Sequence, residues 1–156
     1  MKFSHIEDGR AKMVDISEKH DIFRHAKAIG EIQLKPVTIA AIKNMEIDKG
    51  SVLETARIAS VIAIKTTSSV IPMCHQIPIT GIDVQFDLGV ENVKVTVEVK
   101  SIGKTGVEME ALHGVSVALL TIWDMVKSVE KDKTGNYPST RIKNILVIEK
   151  IKEEIE

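Results

Sequence analysis

Residues 91–100 read ENVKVTVEVK, and their alternation decides the fold. Val93, Val95, Val97 and Val99 fall on one side of an extended chain, and Lys94, Thr96, Glu98 and Lys100 on the other. A period of two with β-branched residues on the apolar side predicts a strand with one covered face and one wet face. An antiparallel sheet carrying its helices on a single side has that pattern. Residues 79–88 predict a second strand, joined to the first through Gly89 in a hairpin-like connection.

Working outward, Ile22 to Leu34 reads as a further strand with imperfect alternation, and RIKNILVIEKI at 141–151 as the last one. Between them the period changes. Pro36 starts a short helical piece, VTIAAIKNM. In 52–70, Val52, Ala56, Ala59, Ile62 and Ala63 recur at helical spacing, with Ser51 or Asp48 as a cap and Pro72 as the stop. Thr105-Gly106-Val107-Glu108 has the capping-box pattern, and an amphipathic stretch follows to about Val129. Gly135, Asn136 and Pro138 form a turn region before the last strand. The order strand, helix, strand, strand, helix, strand predicts an α+β, ferredoxin-like βαββαβ fold, an antiparallel sheet with helices on one face. Residues 1–12 are polar and expected to be loose, and 13–156 form one catalytic domain whose first anchor is Met13-Val14-Asp15-Ile16.

Composition narrows the function classes. A chain of 156 residues, 44% hydrophobic and 28% charged, suits one globular core. The net charge of −1 gives no global field for nucleic acid or membrane, so an anion must be held by local lysines. Aromatics at 3% argue against base stacking. One cysteine permits no internal disulfide and suggests a reduced, cytoplasmic setting. The N-terminus is too polar for a signal peptide, and no stretch of about 18 apolar residues is expected to span a membrane.

Four stretches carry chemistry-bearing residues, and each also has a plain structural explanation. Cys74 and His75 stand between Pro72 and Pro78. In an extended segment they would point to opposite sides, and no second Cys/His pair is present, so a shared metal is disfavoured. A buried cysteine and a turn histidine would explain the pair as well as a preorganised binding loop would. In GKTGVEMEAL at 103–112, Glu108 fits the third helical position of a capping box, whereas Glu110 has no such duty. In TIWDMVK at 121–127, Asp124 and Lys127 are spaced for a surface ion pair. Lys49, beside Gly50 at a helix entrance, is either a phosphate contact or a solvated lysine. Glu110 and Asp124 share a helix face but lie roughly 21 Å apart along it. If both serve one ligand, a second subunit completes the site.

Together, KG-V--TARIA at 49–59, IP-CH at 71–75, GKTGVEMEAL at 103–112 and TI-DM-K at 121–127 resemble the cyclic pyranopterin monophosphate synthase family (MoaC) of molybdenum cofactor biosynthesis. MVDIS at 13–17 is similar to that family's N-terminal motif. The resemblance covers roughly residues 5–132. It implies a lyase that converts 3′,8-cyclo-7,8-dihydro-GTP to cyclic pyranopterin monophosphate and releases pyrophosphate, with no cofactor and no metal. It also implies a homohexamer, a trimer of dimers, with the active site at a subunit interface. On the matching positions it assigns catalytic roles to Asp124, Lys49, Lys127 and His75. Substrate contacts fall on Met73, Cys74, His75, Glu108, Met109 and Glu110.

The chain departs from the family pattern at Gln76, Ser51 and His113, and lacks its C-terminal glycine-lysine segment, where Lys150 alone matches one lysine. Arg57 fits a structural role as well as a phosphate contact. A non-catalytic ferredoxin-like module that binds a nucleotide or regulates is the competing class. It would not need Lys49, Asp124 and Lys127, and all three are present.

Overall fold

The computed structural model describes residues 6, 7 and 9–155. A two-residue hairpin, β1 (Ile6–Glu7) and β2 (Arg10–Ala11), precedes the main body. Residues 1–5 and 8 of the expected loose segment lie outside the described residues. The chain then runs β3 (Ile22–Gln33), α1 (Pro36–Lys43), α2 (Val52–Lys65), α3 (Thr67–Val70), β4 (Ile79–Leu88), β5 (Asn92–Gly103), α4 (Glu108–Glu130) and β6 (Arg141–Glu153). The four long strands form one sheet in the order β4-β5-β3-β6, every pair antiparallel. This is the ferredoxin-like α+β arrangement read from the strand order.

The alternation in β5 does what it predicts. Val93, Val95, Val97 and Val99 are fully buried under the helices. On the opposite face the partly exposed Lys27 and Glu98 pair at 2.6 Å, while Thr96, expected on the wet side, is buried. Two glycines set how closely α4 docks. A Cβ on Gly30 of β3 would lie 2.6 Å from Val115 Cγ1 and 2.8 Å from Leu119 Cδ1, so α4 rests directly on the middle of the sheet. A Cβ on Gly114 of α4 would lie 2.7 Å from Ile64 Cγ1 and 3.0 Å from Ser60 Oγ, so α2 packs equally close from the side.

Three local expectations are corrected. The helix expected over 52–70 breaks at Thr66. The hydroxyls of Thr66 and Thr67 donate back to the carbonyls of residues 62–64, which competes with helix continuation. The capping box at Thr105–Glu108 does not form, because α4 starts at Glu108 itself with Val107 before it and no side-chain cap. Helix α4 is long and apolar enough to cross a membrane by length and composition, contrary to the sequence reading, but half of its most apolar stretch is buried inside this fold.

The far end of α4 is tied down by a buried carboxylate. Glu130 is fully buried and accepts from the Lys35 backbone N–H at 3.0 Å and from the hydroxyls of Thr38 and Thr140. Lys35 Nζ in turn donates to the carbonyls of Val129 (3.0 Å) and Glu130 (2.8 Å) at the helix C-terminus. A cation there satisfies end carbonyls and complements the helix dipole. The start of α1, the end of α4 and the approach to β6 are thus joined at one point.

Candidate active site

A cavity of about 350 Å³ opens where the loop after α3, the start of α4 and the segment 14–19 meet. Met73, Cys74, His75, Met109 and Glu110 all line it. The chain turns at 71–74, with the Cys74 N–H donating to the Ile71 carbonyl at 3.0 Å. Cys74 and His75 consequently border one cavity, where an extended segment would have sent them apart. The His75 ring donates from Nε2 to the Val14 carbonyl at 2.8 Å. A carbonyl only accepts, so the neutral ring carries its lone pair on Nδ1.

Glu110 is the unusual group. It is 3% exposed, and its Oε2 has no hydrogen-bond partner. Burial pushes its carboxyl up from the ordinary value, and the neighbouring Glu108 charge adds to the push. Burial also pushes the Cys74 thiol up, with Glu110 contributing, so the sulfur stays protonated and is a poor nucleophile. Glu108 spends its carboxylate on Lys150 of β6 instead of on a cap.

A second group sits toward the other end of α4. Lys49 Nζ lies 2.9 Å from Asp124 Oδ2 and 2.8 Å from the Asp124 carbonyl, and Lys127 Nζ lies 2.6 Å from Asp124 Oδ1. Gly50, at φ +95°, permits the turn that leads from Lys49 into α2. Lys127 and then Lys49 lower the Asp124 carboxyl to about 2, and Asp124 raises Lys127. Two ammonium groups on one carboxylate leave a surplus positive charge exposed to solvent.

The structure brings Lys49, Asp124 and Lys127 together, and brings Met73, Cys74, His75, Met109 and Glu110 together. It does not bring the two groups to each other. Helix α4 is continuous from Glu108 to Glu130, so the 14-residue separation still stands at roughly 21 Å. Sequence reasoning missed Lys19, which lines the cavity, and the Val14 carbonyl that holds His75. No periodicity marks either one; only their closeness to MVDIS hinted at them. His113 bonds the Thr67 hydroxyl at 3.1 Å, and Arg57 serves packing. Arg57 donates to the Val84 carbonyl and stands 5.2 Å from the Phe86 ring centre. Among the described residues, no group of three or more His, Cys, Asp or Glu side chains is placed to hold a metal ion.

A buried carboxyl and a histidine on one cavity, and an ionised carboxylate between two lysines, are groups able to move protons and to hold negative charge, here carried on a ferredoxin-like α+β sandwich. Comparison with known proteins narrows that class. The MoaC family description matches residues 13–153, and the chain belongs to that family. It is 62% identical over 154 residues to a protein of Methanococcoides burtonii named "Probable cyclic pyranopterin monophosphate synthase", covering 99% of this chain and 97% of that one. Proteins of the same name from Methanosarcina mazei (63% over 150 residues, 96% of each chain) and Pyrococcus furiosus (56% over 154 residues, 99% of each chain) match nearly end to end.

Proposed function

We propose that this enzyme is a cyclic pyranopterin monophosphate synthase, a lyase that converts 3′,8-cyclo-7,8-dihydro-GTP to cyclic pyranopterin monophosphate with release of pyrophosphate in molybdenum cofactor biosynthesis. The observation that carries the reading is the pairing of one carboxyl held neutral-leaning by burial with another held ionised by two lysines. Environments that push two carboxyls apart suit one as acid and the other as base.

Each residue has a role on this reading. Glu110 donates a proton as the C–N bonds of the purine-derived skeleton open and reclose. His75 accepts at Nδ1, and Asp124 acts as the ionised base. Lys49 and Lys127 neutralise the triphosphate and the charge that builds on departing pyrophosphate. Lys19 adds a cation at the cavity rim. Met73 and Met109 give apolar contact to the ring system, Cys74 packs as a neutral thiol, and Glu108 with Lys150 shapes the start of α4.

The two groups act on one ligand across a subunit interface. Pairing two α4 helices antiparallel about a two-fold axis near Val117, midway between Glu110 and Asp124, sets each cavity against the partner subunit's Asp124. Exposed apolar residues support a contact on the helical layer, namely Leu120 (58% exposed) on α4 and Ile58 and Ile62 on α2. Three such dimers make the expected hexamer. A cytoplasmic setting is supported by the single, unpaired cysteine.

The test is turnover. Purified protein is given 3′,8-cyclo-7,8-dihydro-GTP, and pyrophosphate and cyclic pyranopterin monophosphate are counted together, with Lys49→Ala as control. Equal amounts of both products from the wild type and neither from the variant support the reading. Substrate bound and returned unchanged makes the protein a binding module.

A further inference from the structure

The segment that covers the cavity is held at two points, by His75 and by Lys104. The Val14 carbonyl accepts a hydrogen bond from His75 Nε2–H at 2.8 Å. Immediately after it the chain folds into a tight turn, in which the Asp15 carboxylate accepts from the Ser17 N–H (2.8 Å) and the Ser17 hydroxyl (2.5 Å). That hydrogen bonding holds the Asp15 carboxyl below its ordinary range, so the turn keeps its acceptor charged. Lys104, between β5 and α4, reaches over and donates from Nζ to the Ser17 carbonyl at 2.8 Å. The residues after it, Thr105, Gly106, Met109 and Glu110, line the cavity floor. One lysine therefore ties the covering segment to the loop that delivers Glu110.

We propose that residues 14–17 form a clamp on the His75 ring and that Lys104 is the positioning residue that latches it. The clamp fixes the tautomer. With Nε2–H committed to Val14, Nδ1 is the basic nitrogen that the cavity side chain has to offer. A histidine in a cavity without such a partner exchanges tautomers and swings about its side-chain bonds. Here the acceptor is a backbone carbonyl, which no side-chain substitution removes, so the vulnerable parts of the clamp are Lys104 and Asp15. Both lie outside the groups assigned to proton transfer or phosphate binding, and neither lines the cavity.

The catalytic half of this inference rests on the proposed lyase reading; the tautomer half does not. Full-length protein labelled with 15N in its five histidines is studied by long-range proton–nitrogen correlation at about pH 8.5, some two units above the ordinary imidazole value. The wild type shows His75 as a single Nε2–H tautomer. Lys104→Met, which keeps the aliphatic stem and removes the donor, shows a mixture with the Nδ1–H form, and Lys104→Arg restores the single form. Asp15→Ala loosens the same clamp from the exposed turn, which keeps the test sound if the Lys104 variant folds poorly. In turnover, Lys104→Met lowers kcat by on the order of tenfold with KM nearly unchanged, as loss of alignment without loss of contact does.

An Nδ1–H tautomer in the wild type overturns the clamp, as does a His75 signature unaltered in both variants. A tautomer shift with unaltered kcat overturns the positioning role. Wild-type protein that holds the Nε2–H tautomer yet turns over no substrate leaves the clamp in place and removes the lyase reading instead.

Discussion

Lys49, in the loop that enters α2, grips Asp124 of α4 twice, with its Nζ 2.9 Å from Oδ2 and 2.8 Å from the backbone carbonyl of the same residue. The grip draws together two segments 75 residues apart in the chain. It also leaves the lysine only partly neutralised, since Lys127 shares the same carboxylate. An anionic ligand meets a cluster already assembled and needs only to displace or extend it.

Replacing Asp124 by Asn keeps the shape and removes the charge. Turnover should fall by about a hundredfold or more, with the thermal midpoint lowered only slightly, because solvent screens an ion pair whose aspartate is more than half exposed. The carboxyl itself, lowered to about 2, should stay ionised throughout the physiological range. Its contribution to stability is therefore present above the unfolded value near 3.9 and is lost as pH falls through about 2. Lys127→Met should move the carbon-13 titration of Asp124 back toward the ordinary carboxylate value.

Glu110 should behave in the opposite sense. Its folded carboxyl is raised by burial, so the folded state favours the protonated form. Stability is full below the unfolded value near 4.3 and falls as pH rises through the folded value. Thermal melts across pH 4 to 8 should show the wild type losing ground to Glu110→Gln as pH increases. The same substitution should reduce turnover. A flat difference between the two melting curves would count against a strained carboxyl.

At the other end of α4, Glu130→Ala should destabilise the fold by about 3 kcal/mol, the scale of losing hydrogen bonds to a buried charged acceptor. The Lys35 N–H and the hydroxyls of Thr38 and Thr140 would be left without that acceptor. Chemical denaturation reads this directly. Asp124 and Lys127 lie within two turns of that anchor, so residual activity should fall at lower temperature than in the wild type.

Mixing inactive chains tests whether two subunits build one site. Lys49→Ala and His75→Ala proteins, unfolded and refolded together, should regain about a quarter of wild-type turnover, the statistical share of intact sites in mixed dimers. Each variant refolded alone should regain none. No recovery in the mixture would confine the site to one chain.

Much of the fold could be read because its signals are local and redundant. The valines of β5 carry a period of two across a whole strand, and the resulting face is buried without exception. Helix ends were less legible. Glu108 matched a cap in spacing, yet it faces Lys150, a residue 42 positions further on that no local pattern connects to it. The site divided in the same way. Asp124 and Lys127 announce themselves as neighbours on a helix, whereas the bond from His75 to Val14 spans 61 residues and ends on a backbone atom, which has no letter in the sequence. Burial of Glu110 was equally invisible, because it depends on the loop and the 14–19 segment closing over it.

Helix α4 carries one further implication, which concerns length alone. It sets the spacing and angle between Glu110 and Asp124 in coarse graduations. Inserting one residue between Glu110 and Asp124 would turn Asp124 by about 100° about the axis while moving it only about 1.5 Å along. Seven inserted residues would restore the angle to within about 20° and lengthen the helix between Glu110 and Asp124 by about 10 Å. The angular relation of the two residues therefore cannot be edited by small steps.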